Sequence, residues 1–158
     1  MLNSIITPLK TILTRKPPIF VLVPFVFAAI IVLLKWGITP VAPAVFFLAG
    51  TGLGIYFMDI AEVFFRLQPS PFRTAVFCAG FAVVAAFVVS STGSAFASGL
   101  VFAVYITLLL WQLGEFSVAG HLGSWYEMFV GRVSRDTQLA GLGIFILFFA
   151  VITWIFLH

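Results

Sequence analysis

Charge is what this chain has least of. Eight Lys and Arg and five Asp and Glu make up 8% of 158 residues, where a soluble domain carries about a quarter. An ordinary water-soluble domain is therefore excluded. No run of like charge is present that could follow a nucleic-acid backbone, so nucleic acid is not an expected partner. A single cysteine, Cys78, leaves neither an intrachain disulfide nor a thiolate metal cluster to build. The two histidines, His121 and His158, fall on opposite sides of the expected bundle, which rules out a bis-histidine haem within one chain. The same separation keeps His121 from Ser91 or Ser94, so no serine hydrolase site can be assembled. Lys35 is at a helix end, not in mid-membrane where a retinal-type Schiff base would need it. H-E-x-x-H, G-x-S-x-G and phosphate-binding glycine loops are missing from the sequence. No metal, cofactor or enzymatic activity is expected.

What fills the chain is apolar: 63% of residues are hydrophobic and the mean hydropathy is +1.23. Spanning about 30 Å of hydrocarbon takes roughly 20 apolar residues. Five stretches approach that length, with spans expected at about 18–36, 41–66, 71–90, 94–117 and 137–157. The expected fold class is thus an all-α integral membrane protein, one domain over residues 1–158. It would be a bundle of five transmembrane helices with two short amphipathic interfacial helices.

Lys10, Arg15, Lys16, Arg66, Arg73, Arg132 and Arg135 all fall between spans on one side and Lys35 alone on the other. Cytoplasmic loops are enriched in Lys and Arg, so the N-terminus is expected inside and the C-terminus outside, in a membrane of bacterial inner-membrane type. Trp36 and Trp154 then fall at the outer interface and Trp125 at the inner one. The prolines agree with these limits. Thr7-Pro8, Thr39-Pro40 and Ser70-Pro71 resemble helix starts, Pro17-Pro18 open the first span, and Pro24 should bend it. Gly93, among serines and a threonine, marks a tight outer turn.

The interfacial helices are placed at about 7–15 and 124–135. Leu2, Ile5, Ile6, Leu9, Ile12 and Leu13 repeat at helical spacing beside Lys10, Arg15 and Lys16, which reads as a retained helix on an anionic inner leaflet rather than a cleaved leader. Leu122, Trp125, Tyr126, Phe129, Val130 and Val133 form the second stripe, with Ser124 and Glu127 as a capping box. Asp136 suits the start of the last span, and Arg132 and Arg135 suit anionic headgroups.

The candidate site lies at the inner ends of the second and fourth spans. Tyr56, Asp59, Glu62 and Arg66 share one helical face. Asp59, seven residues before Arg66, sits roughly 10 Å inside the boundary, where an ionised carboxylate must be paired or hydrated. Tyr105, Gln112 and Glu115 form a similar stripe on the fourth span, so Glu115 and His121 are candidate partners in one polar pocket. Two readings follow. One is a proton or cation site on Asp59 and Glu62, in a small transporter or channel. The other is a structural network, with Glu62 paired to Arg66 and Asp59 to Tyr56 or Arg73, in a non-enzymatic subunit that scaffolds, anchors or assembles a larger membrane complex. Small residues at Gly50, Gly54, Gly80 and Gly141 supply helix-packing seams, expected to serve this bundle more than a homo-oligomer. Twenty phenylalanines suit lipid-facing and interhelical surface, or a face for another membrane subunit.

Overall fold

A computed structural model describes residues 16–38, 41–65, 67, 70–126 and 133–158. Among them the chain is helical, without strands. The elements among these residues are α1 (Ile19–Trp36), α2 (Ala42–Phe65), a 3-10 turn (Pro71–Arg73), α3 (Ala75–Ser91), α4 (Ala95–Ala119), α5 (Gly123–Tyr126) and α6 (Arg135–Leu157). Four helices, α1, α2, α4 and α6, are long and apolar enough to cross a membrane. α3 is apolar but has 17 residues. The expected interfacial helix at 7–15 lies outside the described residues, as do Thr39, Pro40 and Arg66.

Local chemistry sets the helix starts. Thr74, in extended conformation, accepts the Phe77 N–H at 3.3 Å and caps α3. The third helix thus begins four residues later than the Ser70-Pro71 pair suggests. Proline fixes φ but supplies no N–H, and here it opens the 3-10 turn instead of the helix. Ser94 accepts from Ala97 N–H at 3.2 Å to cap α4, and Ser134 accepts from Thr137 N–H at 3.2 Å to cap α6. Between α3 and α4, Gly93 takes φ +62°, a left-handed geometry that costs a residue with a Cβ but not glycine.

α4 is the centre of the bundle: from Val101 to Leu109 every residue is buried. α2 runs parallel to it and makes the most extensive helix pair in the molecule. That pair is close because it is built on glycine. A Cβ on Gly50 would run into the Phe96 carbonyl, one on Gly54 would lie 2.8 Å from the Ala103 Cβ, and one on Gly99 would strike the Phe47 carbonyl. Thr51 adds hydroxyl contacts to the carbonyls of Phe47 at 3.0 Å and Gly99 at 3.4 Å, one within its helix and one across the seam. α1, α3 and α6 run antiparallel to α4. Phe27 meets Phe102, Phe81 meets Tyr105, and Tyr105 stacks on Phe145 at 4.3 Å between centroids.

Rings fill the rest of the core. Trp36, Phe47, Phe156, Phe102, Phe149, Tyr105, Phe145 and Trp125 follow one another at centroid distances of 4.3–5.9 Å from one end of the bundle to the other. Offset and edge-on aromatic pairs contribute about 0.5–1.5 kcal/mol each beyond area burial. The phenylalanine load therefore does internal packing as well as covering exposed helix faces at Phe46, Phe57 and Phe87.

Two expectations need correction. Gly80 makes no packing seam: a Cβ there meets nothing within 4 Å, because α3 turns that face outward. Trp125 is not an interfacial anchor. It is 4% exposed and folded under α6, where Gly141 leaves room for it.

Gly54→Val and Gly99→Val are expected to lower stability by at least about 1–3 kcal/mol, since neither clash can be relieved without moving backbone. Gly80→Ala should be neutral or stabilising, through the better helix propensity of alanine. Thermal unfolding of the three variants in one detergent checks this; equal midpoints would contradict the seam.

Candidate functional site

The acids do not meet. Each of the three candidate carboxylates is taken by a different neighbour, all at the end of the bundle where α2 and α4 finish and α1, α3 and α6 begin. Among the described residues no group of three His, Cys, Asp or Glu side chains is placed to hold a metal ion.

Asp59 belongs to Lys16. The ammonium lies 2.5 Å from the Asp59 Oδ2 and also donates to the Ile55 carbonyl one turn earlier on α2. The Tyr56 ring is 5.4 Å away beneath it. The lysine side chain is 7% exposed and the aspartate 35%, so the cation is the more deeply placed partner. This differs from the expected pairing with Tyr56 or Arg73, and the reason is geometric. Residues 16–18 lead into α1 along the face of α2 that carries Tyr56 and Asp59, within reach of the lysine stem. An ammonium at such depth needs donors satisfied as well as charge balanced. A carboxylate, a carbonyl and a ring face supply both.

Glu62, one turn further, accepts from the Ser70 hydroxyl and lies 3.6 Å from the Arg73 guanidinium. Arg73 in turn stacks 3.5 Å over the Trp111 ring of α4, and Phe20 of α1 packs against the same indole at 6.2 Å. Glu62 thus ties the 3-10 turn to α2, while arginine and tryptophan tie it to α4. A guanidinium suits this double use, being planar and able to stack and hydrogen-bond together. The expected partner, Arg66, lies outside the described residues.

Glu115 faces away from both. It accepts from the Ser124 N–H at 2.8 Å and from the Ser124 hydroxyl, which makes it the cap of α5. α5 starts at Gly123, so Ser124 lies inside it and sends its donors back to α4. Glu127 lies outside the described residues. His121 is exposed. It flanks Gly123, where an added Cβ would lie 3.3 Å from the imidazole Cε1 and 3.5 Å from a Glu115 oxygen. Histidine and glutamate therefore border one glycine, apart from Asp59 and Glu62.

Sequence reasoning did not find the buried polar cluster between α3, α4 and α5. Cys78, Gln112 and Trp125 converge in a region without water-facing surface. The indole N–H lies 3.1 Å from the cysteine sulfur. Turning the Gln112 amide so that its oxygen accepts from the indole at 2.7 Å lets its nitrogen donate to the Leu108 carbonyl at 3.3 Å, which satisfies both ends. Tyr105, two turns before Gln112, donates to the Phe145 carbonyl at 2.9 Å. The Gln138 side chain accepts the Leu122 N–H at 2.7 Å and donates to the Val133 carbonyl at 3.1 Å, stitching both ends of the α5 region to α6. At the edge of this region burial pushes the Tyr126 phenol above its ordinary value. The stripe on α4 was visible as Tyr105, Gln112 and Glu115, but it points to α3, α5 and α6 rather than to the acids of α2.

Comparison with protein-family models, curated proteins and solved structures finds no match to this chain.

Two results are expected from these pairings. Asp59→Leu should cost about 1–3 kcal/mol by leaving Lys16 without its counter-charge, whereas the double variant Lys16→Met with Asp59→Leu should recover most of that loss. Thermal unfolding of the four members of the cycle measures the coupling, and additive losses would contradict the pair. Cys78, at 0% exposure, should resist a membrane-permeant maleimide in the folded protein and react readily in Trp125→Ala, which removes its lid. Equal labelling rates would show that the indole does not cover the thiol.

Proposed function

We propose that this chain is a non-enzymatic integral membrane subunit that scaffolds, anchors or assembles a larger membrane complex. Four helices are long and apolar enough to cross a membrane. The proposal adds α3 as a fifth crossing, because α3 runs antiparallel beside α4, with Cys78 level with Gln112 and Phe81 with Tyr105. It places the N-terminus in the cytoplasm of a bacterial-type inner membrane, with the arginine-rich end on an anionic leaflet, and takes other membrane subunits or further copies of the chain as partners.

The observation that carries this reading is the closed state of the three candidate acids. A carrier must keep some intramembrane group free to exchange partners with its cargo. Here Asp59 is closed by Lys16, Glu62 by Ser70 and Arg73, and Glu115 by Ser124. The first contact joins residues 43 apart, and the others fasten a helix to the segment that follows it, which is the work of a structural tie.

The alternative is a small proton- or cation-coupled transporter or channel using Asp59 and Glu62. It is favoured by one feature, the depth of the Lys16–Asp59 pair, since an ion pair at such a position is a familiar place for an exchangeable proton.

Extraction in mild detergent followed by native mass spectrometry separates the two. A foreign polypeptide bound in fixed ratio, together with no proton or cation flux in liposomes, is the expected outcome. A lone chain or homo-oligomer that carries flux, lost on Asp59→Asn, would replace the first reading with the second. Asp59→Asn with unchanged flux and reduced thermal stability would remove the transport reading.

A further inference from the structure

At the end of the bundle remote from the acids, a half-open cleft of about 320 Å³ lies between the ends of α1 and α6 and the beginnings of α2 and α4. From the groups that line it, we infer that this cleft binds the phosphate headgroup of an anionic phospholipid.

Its polar lining is positive and unneutralised. Lys35, in the last turn of α1, donates to the Phe156 carbonyl of α6 and stands 4.4 Å over the Phe156 ring. An ammonium has three N–H donors, so two remain for a ligand. Neither ion pair among the described residues includes Lys35, and Asp59, Glu62 and Glu115 are tied at the opposite end. Ala95 lines the cleft in the first turn of α4, where free backbone N–H groups and the helix dipole favour an anion.

A second, independent feature is Ser98. It is 2% exposed and lines the cleft. Its backbone N–H is used by the Ser94 carbonyl at 3.0 Å, but its hydroxyl has no hydrogen bond among the described residues. A hydroxyl so enclosed ordinarily finds a partner, in this position usually the carbonyl four residues back. Since no fully enclosed side-chain oxygen among the described residues is left without a partner, this hydroxyl keeps some accessible surface, and the residue lines the cleft.

The remaining walls, Trp36, Val89 and Phe156, are apolar. A small hydrophilic anion gains nothing from them, whereas the glycerol and first acyl carbons of a lipid do. The volume is at the lower limit of small-molecule pockets, about 300 Å³. It admits a headgroup and glycerol and leaves the chains to run out along the apolar surfaces of α3 and α6, exposed at Val83, Phe87, Leu147 and Ile155.

The test uses the full chain in detergent with phosphatidylglycerol, phosphatidylcholine or inorganic phosphate added. Retained lipid is counted by native mass spectrometry and thermal midpoints are measured in parallel. Lys35→Gln keeps a donor for the Phe156 carbonyl and removes the charge; Ser98→Ala removes the hydroxyl alone. One phosphatidylglycerol bound in preference to phosphatidylcholine is expected, with occupancy about fivefold weaker in Lys35→Gln, the effect of one cation near an anionic lipid. Ser98→Ala should fall between the two, and Arg135→Gln, a cation at the other end, should leave this occupancy unchanged. Equal retention in Lys35→Gln, equal retention of the two lipids, or a stabilisation reproduced by inorganic phosphate alone would each overturn the assignment. Lys35→Arg keeps the charge and should bind as the parent does, so its failure to bind while folded would also overturn it.

Discussion

The close approach of α2 to α4 is the constraint on which the other contacts depend. Because Gly50, Gly54 and Gly99 carry no side chain, the two backbones touch, and Thr51 can place its hydroxyl between carbonyls of both helices. In an apolar solvent, helices are not driven together by the hydrophobic effect, so contact area at short range and satisfied polar groups must hold them. With α2 fixed against one side of α4, the other sides are free to take α1, α3 and α6. The large rings of Phe47, Phe102 and Tyr105 then project into the spaces those helices leave.

Several polar side chains among the described residues act near helix ends and across a seam. Lys16 joins the entry of α1 to α2, Arg73 joins the entry of α3 to α2 and α4, Glu115 and Gln138 join the α5 region to α4 and α6, and Lys35 joins α1 to α6. Each tie stands where a connecting segment meets the bundle. The apolar interior sets which helices are neighbours, while these ties set the height at which each enters.

How much of this could be read beforehand varies by element. The long helices were legible to within two residues at most ends, because length, proline and serine or threonine caps act locally. The start of α3 was displaced because a 3-10 turn and an α-helix both accept proline at their first position, and only Thr74 tells them apart. Which face of each helix turns inward was far less legible. These helices are apolar nearly all round, so Gly80 and Gly54 look alike in sequence although one faces outward and the other lies at the tightest seam. Asp59 was identifiable as the residue most in need of a partner. Lys16, 43 positions away, was not identifiable as that partner, since pairing over such a distance follows from tertiary geometry. Trp125 was misplaced because an indole beside a basic loop satisfies the pattern of an interfacial anchor equally well. Its N–H finds Cys78 and Gln112 only once α5 folds back.

The 17 residues of α3 also carry a consequence for the surrounding lipid. At 1.5 Å per residue the helix rises about 25 Å, some 5 Å less than a typical hydrocarbon core. If α3 crosses as proposed, its helix is shorter by six residues than α6, so the bundle offers less apolar height on that flank than on the α6 flank. The bilayer would then thin beside α3, at a cost of a fraction of a kcal/mol for each ångström of mismatch. Such a notch gives the protein a polarity in the plane of the membrane. A thin leaflet or another short helix would be the cheapest neighbour on that side, and ordinary bilayer on the α6 side.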